Sequence, residues 1–147
     1  MITIDETVAI GRSREVVFDY VSDVSNYPRW QPGIERAEQV TPGAAGVGTR
    51  VKLVLRGPTG PTEVIGEIVE FDRPRILAIR SLSGPADMKA RCELEATDGD
   101  AGTQLRLTAS IELKGFLRFA EGQARKIVGR EMPTALADLA GQIEAGA

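Results

Sequence analysis

Two neighbouring segments of the chain alternate apolar and polar side chains at every second position. Residues 88–97 place Met, Ala, Cys, Leu and Ala on one parity with polar residues between them, and residues 105–113 repeat the pattern. A period of two is typical of a strand with one buried face. The intervening Asp-Gly-Asp-Ala-Gly is a turn sequence. These segments are therefore predicted to form antiparallel strands, with Cys92 and Leu107 facing inward.

The C-terminal segment changes to the helical period. From about Phe116 to Ile143, apolar residues recur along one stripe, which predicts the longest helix of the chain. Pro133 lies within this stripe and removes a hydrogen bond to the carbonyl of Gly129, a residue that can bend to relieve the clash. We expect the helix to kink there without ending.

The remaining segments indicate further strands and a helical corner. Ser13 is a good N-cap for a short helix, and Asn26-Tyr27-Pro28 interrupts that helix, so two short helices are expected after the first strand. A turn is predicted at residues 57–61, and a mobile loop, interpreted as a flap at a cavity mouth, at residues 41–48. Strands are predicted near residues 2–10, from Ile34, and at 49–55, 62–71 and 76–82.

This order of elements predicts an α+β fold in which a curved antiparallel sheet wraps around the long C-terminal helix. No linker, repeat or low-complexity segment divides the sequence, so residues 1–147 are interpreted as a single domain. Aromatic residues make up only 5% of the chain, which leaves open whether sheet and helix pack tightly or enclose a cavity.

Composition excludes several classes of function. The chain has no histidine and one cysteine, which excludes Ser-His-Asp and Cys-His catalysis and the usual zinc, haem and iron–sulfur sites. We therefore expect no metal and no cofactor. The net charge of −3 and the absence of a dense Lys/Arg run argue against nucleic-acid binding.

The sequence also bears on membranes and cell compartment. No apolar run approaches the roughly 20 residues that cross a bilayer, so we expect no stable membrane insertion. The first residues include Asp5 and Glu6 where a signal peptide would carry bases. A cytoplasmic location is expected, and a single free cysteine fits it.

Two segments carry a resemblance to a known family. Asn26-Tyr27-Pro28-Arg29-Trp30-Gln31-Pro32 follows the first helix, and residues 70–77 read Glu-Phe-Asp-Arg-Pro-Arg-Ile-Leu at the central turn. Together with the order of elements, they resemble the START/Bet v 1-like (SRPBCC) superfamily, in particular its polyketide cyclase/dehydrase and lipid-transport branch. The resemblance implies a helix-grip fold with an apolar cavity between the sheet and the long helix.

Three functions follow from that resemblance. The first is binding or transport of a hydrophobic small molecule, such as a lipid, a polyketide or another aromatic or isoprenoid compound, by a monomer or weak homodimer. The second is a polyketide cyclase/dehydratase-type enzyme that transfers protons in the same cavity. The third is a protein-interaction module with a filled core.

Candidate ligand-binding residues are mainly apolar or aromatic. Trp30 and Tyr27 could cap a cavity and stack on a planar ligand, or could simply plug the gap between helix and sheet. At the start of the long helix, residues next to the Gly122 gap could line a pocket entrance or belong to ordinary core packing. The predicted ligand-binding set is Trp30, Tyr27, Leu53, Cys92, Leu107, Phe116, Phe119 and Gln123.

Catalytic candidates are fewer. Glu6 and Glu67 could each place a carboxylate on the inner face, or could be solvated beside a strand end or bulge; the parity of residues 62–71 is ambiguous. Tyr20 could transfer a proton within the cavity. Arg80 could reach a ligand carboxylate or phenolate, although its parity favours an outward position.

Overall fold

The computed structural model describes residues 1–57 and 60–146. Seven strands form one sheet, and every neighbouring pair is antiparallel. The strands are β1 (Ile2–Ile10), β2 (Ile34–Gln39), β3 (Arg50–Leu55), β4 (Thr62–Asp72), β5 (Ile76–Ser81), β6 (Ala86–Thr97) and β7 (Gly102–Leu113). Their order across the sheet is β1-β7-β6-β5-β4-β3-β2. The predicted α+β architecture is confirmed.

Short helices follow β1, and a long helix ends the chain, as predicted. Ser13 caps α1 (Arg14–Ser22), with its Oγ 3.4 Å from the Val16 amide nitrogen that donates to it. A 3₁₀ turn leads into α2 (Tyr27–Trp30), and α3 spans Glu121–Glu144. The long helix runs through Pro133 without ending. No helix in the described part of the chain has the length and hydropathy to span a membrane.

The main core lies between α1, the C-terminal half of α3 and the inner face of the sheet. Phe18 of α1 is fully buried, and its ring meets Phe71 edge to face with centroids 5.2 Å apart. Leu136, Leu139 and Ile143 of α3 belong to the same buried cluster. This half of α3 therefore fixes the helix against the sheet.

Strand β4 contains a bulge that explains its ambiguous sequence pattern. The register of its pairing with β5 shifts between Ile68 and Glu70. Before the bulge, Val64 and Ile68 are buried on the inner face, and after it Phe71 packs against the main core. Both competing parities are thus used, one on each side of the extra residue.

The start of the long helical region differs from the prediction. Gly115 has a φ of +61°, and residues 115–120 form a 3₁₀ helix before α3 begins. Phe116 is 76% exposed and Phe119 is 94% exposed. The apolar stripe was therefore extended too far toward the N-terminus, since firmly buried positions on α3 begin at Met132.

The glycine-containing loop at residues 41–48 does not act as the predicted flap at a cavity mouth. The Gly46 amide donates to Thr49 Oγ1 at 2.9 Å, and the Gly48 amide donates to the Ile68 carbonyl at 2.8 Å. Ala45 packs against the main core. The predicted turn at residues 57–61 includes residues 58 and 59, which lie outside the described residues.

Candidate functional site

An inner cavity of about 330 Å³ lies between the sheet, the α1–α2 corner and α3. Side chains from all seven strands form its wall, Tyr27 and Trp30 of α2 close one side, and Met132 of α3 covers it. Most of the wall is apolar. The apolar side chains of the sheet that line it include Ile4, Ile34, Leu53, Leu55, Val64, Leu77, Ile79, Met88, Ala90, Leu107, Ala109 and Ile111.

Small residues on adjacent strands create this space. Ala90 of β6 lies directly opposite Ala109 of β7, and both line the cavity. Gly66 of β4 also contributes to the wall; a Cβ there would lie 3.1 Å from Ile79 Cδ1 and 3.3 Å from Val51 Cγ2. Leucines at positions 90 and 109 would occupy the cavity, whereas a side chain at Gly66 would press against Ile79 and Val51. The volume of the cavity is therefore set by which inward-facing positions carry small side chains.

The α2 corner supplies the aromatic wall. Tyr27 is 3% exposed and Trp30 is 6% exposed, and their rings meet edge to face with centroids 6.5 Å apart. Burial raises the pKa of the Tyr27 hydroxyl, and the nearby Cys92 and Asp23 raise it further. Tyr27 therefore remains a neutral phenol at physiological pH, able to donate a hydrogen bond.

Cys92 lies on the inner face of β6 and lines the cavity, as its parity predicted. Burial raises the pKa of its thiol from 9.0 to about 12. The thiolate is the nucleophilic form of cysteine, and the raised pKa keeps Cys92 protonated. Its side chain is therefore unreactive.

We expect Cys92 to resist thiol reagents in the folded protein. At pH 8, the shift of the pKa from 9.0 to about 12 lowers the thiolate fraction by about a thousandfold, so reaction with DTNB should slow at least as much. The same protein in concentrated urea is the control and should react fully and fast. A native rate within about tenfold of the unfolded rate would contradict the buried position.

The predicted ligand-binding residues divide into two groups. Trp30, Tyr27, Leu53, Cys92 and Leu107 all line the inner cavity, so the structure brings them together although four different elements carry them.

The second group is Phe116, Phe119 and Gln123, which do not line the cavity. Both phenylalanines project from the 3₁₀ helix, and Gln123 is exposed on the first turn of α3. A Cβ added at Gly122 or Gly129 would meet nothing within 4 Å, and both glycines are solvent-exposed. The gap they leave therefore opens to solvent, and the prediction that it borders a pocket entrance is wrong.

The two candidate carboxylates occupy different faces of the sheet. Glu67 lies on the outer face, where its carboxylate is 3.2 Å from Arg80 and 3.7 Å from Arg50. The inward orientation considered for Glu67 is thus incorrect, because the bulge in β4 comes after it and the inner positions are Val64, Gly66 and Ile68.

Glu6 does share the inner parity of β1 with Ile4 and Val8. It is half-buried and makes no hydrogen bond or ion pair with any residue in the described ranges. It is not part of the cavity wall, however, so a ligand in the cavity would not meet it.

The polar groups of the remaining catalytic candidates, Tyr20 and Arg80, are hydrogen-bonded to other residues. Tyr20 is buried in the main core, and its hydroxyl donates to Gln142 Oε1. Arg80 touches the edge of the cavity, but its guanidinium donates to Glu67 on the outer face. Neither side chain is placed to transfer a proton to a molecule in the cavity.

Sequence reasoning missed Met88, Ala90, Ala109 and Met132 as wall residues. Met88 and Ala90 share the parity of Cys92, so the alternation that identified Cys92 contained the signal for both. Met132 has no such signal, because helical spacing does not specify which buried position faces the empty space.

A wider depression of about 560 Å³ lies on the outer face of the sheet. It is open to solvent, and Arg80, Lys89 and Arg91 lie along it. Arg80 and Arg91 pair with Glu67 and Glu70, respectively. Such a surface cannot remove an apolar molecule from water, so the inner cavity is the better candidate site.

The fold and the inner cavity define a helix-grip protein with room for a small molecule. The chain belongs to the family described as polyketide cyclase / dehydrase and lipid transport, whose model matches residues 1–144. No curated protein matches significantly by sequence.

Solved structures share the fold at low sequence identity. A START superfamily protein from Mycobacterium smegmatis has a TM-score of 0.79 at 18% identity, covering 99% of each chain. The Zhui aromatase/cyclase from Streptomyces sp. R1128 has a TM-score of 0.75 at 20% identity, covering 97% of this chain and 93% of its own. Ara h 8.0201 has a TM-score of 0.69 at 18% identity, covering 98% of both chains. The recognised superfamily is confirmed, and family and fold support a ligand-binding or cyclase role in general terms.

Proposed function

We propose that this protein binds a hydrophobic small molecule in the inner cavity: a lipid, a polyketide or another aromatic or isoprenoid compound. The observation that carries the proposal is the apolar wall beneath α3, built from positions on all seven strands and closed on one side by the α2 aromatics. Removing apolar ligand surface from water contributes about 25 cal/mol per Å², so such a wall supplies affinity without a charged anchor. The volume falls at the lower end of the usual range for small-molecule sites.

Binding is favoured over a cyclase or dehydratase role by the chemistry of the wall. Proton transfer in such an enzyme needs an acid or base facing the ligand. Within residues 1–57 and 60–146, no carboxylate lines the cavity, and the chain has no histidine. Tyr27 keeps its proton because burial raises its pKa, so it donates hydrogen bonds but does not supply the phenolate that a general base would need.

A cyclase role is the second candidate because the family description names polyketide cyclases and dehydrases. It would have to depend on orientation of the substrate by the cavity, with Tyr27 as a proton donor. The third hypothesis, an interaction module with a filled core, is disfavoured by the cavity itself.

The sole tryptophan provides a direct test, because Trp30 lines the cavity. Titration with palmitate, menadione and 2-acetylnaphthalene should give a saturable change in Trp30 emission for at least one of them. A non-binding solute of similar polarity, such as cyclohexanol, is the control for solvent effects. Linear, non-saturating changes for every compound would argue against the proposal.

A further inference from the structure

We propose that the Tyr27 hydroxyl forms the polar recognition point of the inner cavity, selecting ligands with a neutral acceptor oxygen on an apolar body. A ketone, quinone or ester oxygen meets this description. The inference rests on the proposed binding function and specifies the ligand class that the same site takes.

Trp30 carries an unsatisfied donor. Its Nε1 is buried and has no hydrogen-bond partner in the part of the chain that the structure describes. The indole N–H can only donate, and a buried donor without an acceptor is costly to fold around. Because this nitrogen is covered by protein atoms, it is not the group that a ligand in the cavity would meet.

Tyr27 places an unpaired donor at the cavity. Its side chain lines the cavity near Cys92, and its hydroxyl makes no hydrogen bond to any residue in the described ranges. The hydroxyl oxygen is not fully covered by protein atoms, unlike the Trp30 nitrogen, so a ligand can reach it. Tyr20, the other tyrosine of the chain, behaves differently, since its hydroxyl donates to Gln142. Buried tyrosine hydroxyls usually find a partner, so the unpaired Tyr27 hydroxyl points to a ligand as the missing one.

The surroundings favour a neutral acceptor over a carboxylate. Among the described residues that line the cavity, the cations are Arg56, Arg80 and Lys89, and all three are exposed at its edge. The wall near Tyr27 and Trp30 is apolar, so a carboxylate there would lose its hydration without gaining an opposite charge. A carbonyl oxygen loses far less hydration and accepts two hydrogen bonds.

A pair of probes that differ in one oxygen tests the inference. We would measure the affinities of 2-acetylnaphthalene and 2-ethylnaphthalene by calorimetry, since both have the same fused rings and nearly the same shape. The wild-type protein should bind the ketone about 3- to 10-fold more tightly, as expected for one hydrogen bond in the cavity. Tyr27→Phe should reduce this preference, which is read as the ratio of the two affinities measured on the same variant so that any general change in the wall cancels.

Tyr20→Phe is the matched control, because it removes a tyrosine hydroxyl that is paired with Gln142 and lies outside the cavity wall. It should keep the full preference for the ketone. Equal affinities for the two probes in the wild-type protein, or a preference that survives Tyr27→Phe, would overturn the inference while leaving the proposed binding function intact. If neither those naphthalenes nor any compound of the Trp30 titration binds, the proposed function fails and the inference falls with it.

Discussion

Replacing Phe18 with alanine is expected to lower the free energy of unfolding by about 3–5 kcal/mol. Phe18 is fully buried in the main core and meets Phe71 edge to face. Its removal takes away both the transfer free energy of the ring and the contacts of the atoms around it. Since single domains are stable by only about 5–15 kcal/mol, the change removes a large share of the total. Urea denaturation followed by Trp30 emission measures it.

Phe119→Ala is the matched control for this prediction. The same ring is removed, but Phe119 is 94% exposed on the 3₁₀ helix before α3. Its loss should change the free energy of unfolding by no more than about 0.5 kcal/mol. The arrangement of α1 and α3 around the sheet would be contradicted if the two variants lost similar stability.

Ala109→Leu is expected to weaken ligand binding by at least about tenfold. The added side chain projects from β7 into the space that Ala109 and Ala90 leave between them. A ligand excluded from about 60 Å² of apolar wall loses about 1.5 kcal/mol of binding free energy, which corresponds to roughly tenfold in affinity. The substitution fills existing space, so the free energy of unfolding should fall by less than about 1 kcal/mol. Titration of any compound that binds the wild-type protein measures the effect.

Ser110→Leu provides the control from the neighbouring position. Ser110 lies on the outer face of β7, opposite Lys89 of β6. The same side chain placed there should leave affinity unchanged. Equal affinities for Ala109→Leu and the wild-type protein would show that ligands bind elsewhere.

The strands were predictable because their alternation was strong. In β6 and β7, apolar and polar residues exchange at nearly every position, so Cys92 and Leu107 were placed correctly on the inner face. The N-cap at Ser13 likewise predicted the first short helix, since a cap restricts the backbone locally. Pro28 does not act as the predicted interruption: α1 already ends at Ser22, and Tyr27 is helical, with Pro28 in the first turn of α2. Local chemistry was sufficient where one face of an element is buried throughout.

The orientation of Glu67 was not predictable, because a bulge has no reliable signature in a single sequence. Apolar residues before Glu70 occupy both parities, only Val64 and Ile68 are buried, and only the pairing with β5 shows where the extra residue lies. Glu67 therefore faces outward to Arg80 and Arg50.

The sequence also did not show how far along the C-terminal helix the buried face extends. Phe116 and Phe119 continue the helical stripe of α3, but burial depends on whether the sheet reaches that far. The sequence also did not decide whether the sheet and the helix enclose a cavity, for a similar reason. Its volume depends on three-dimensional proximity of small residues such as Gly66, Ala90 and Ala109, which lie on three different strands.

Native mass spectrometry of the freshly purified protein tests the central claim most directly, with Ala109→Leu measured beside it. The account predicts a discrete added mass on the wild-type protein, or one that forms on addition of a fatty acid, a quinone or an aromatic polyketide. That mass should be lost on denaturation and reduced in Ala109→Leu. A clean mass of the chain alone that stays unchanged across the whole panel would contradict binding in the inner cavity.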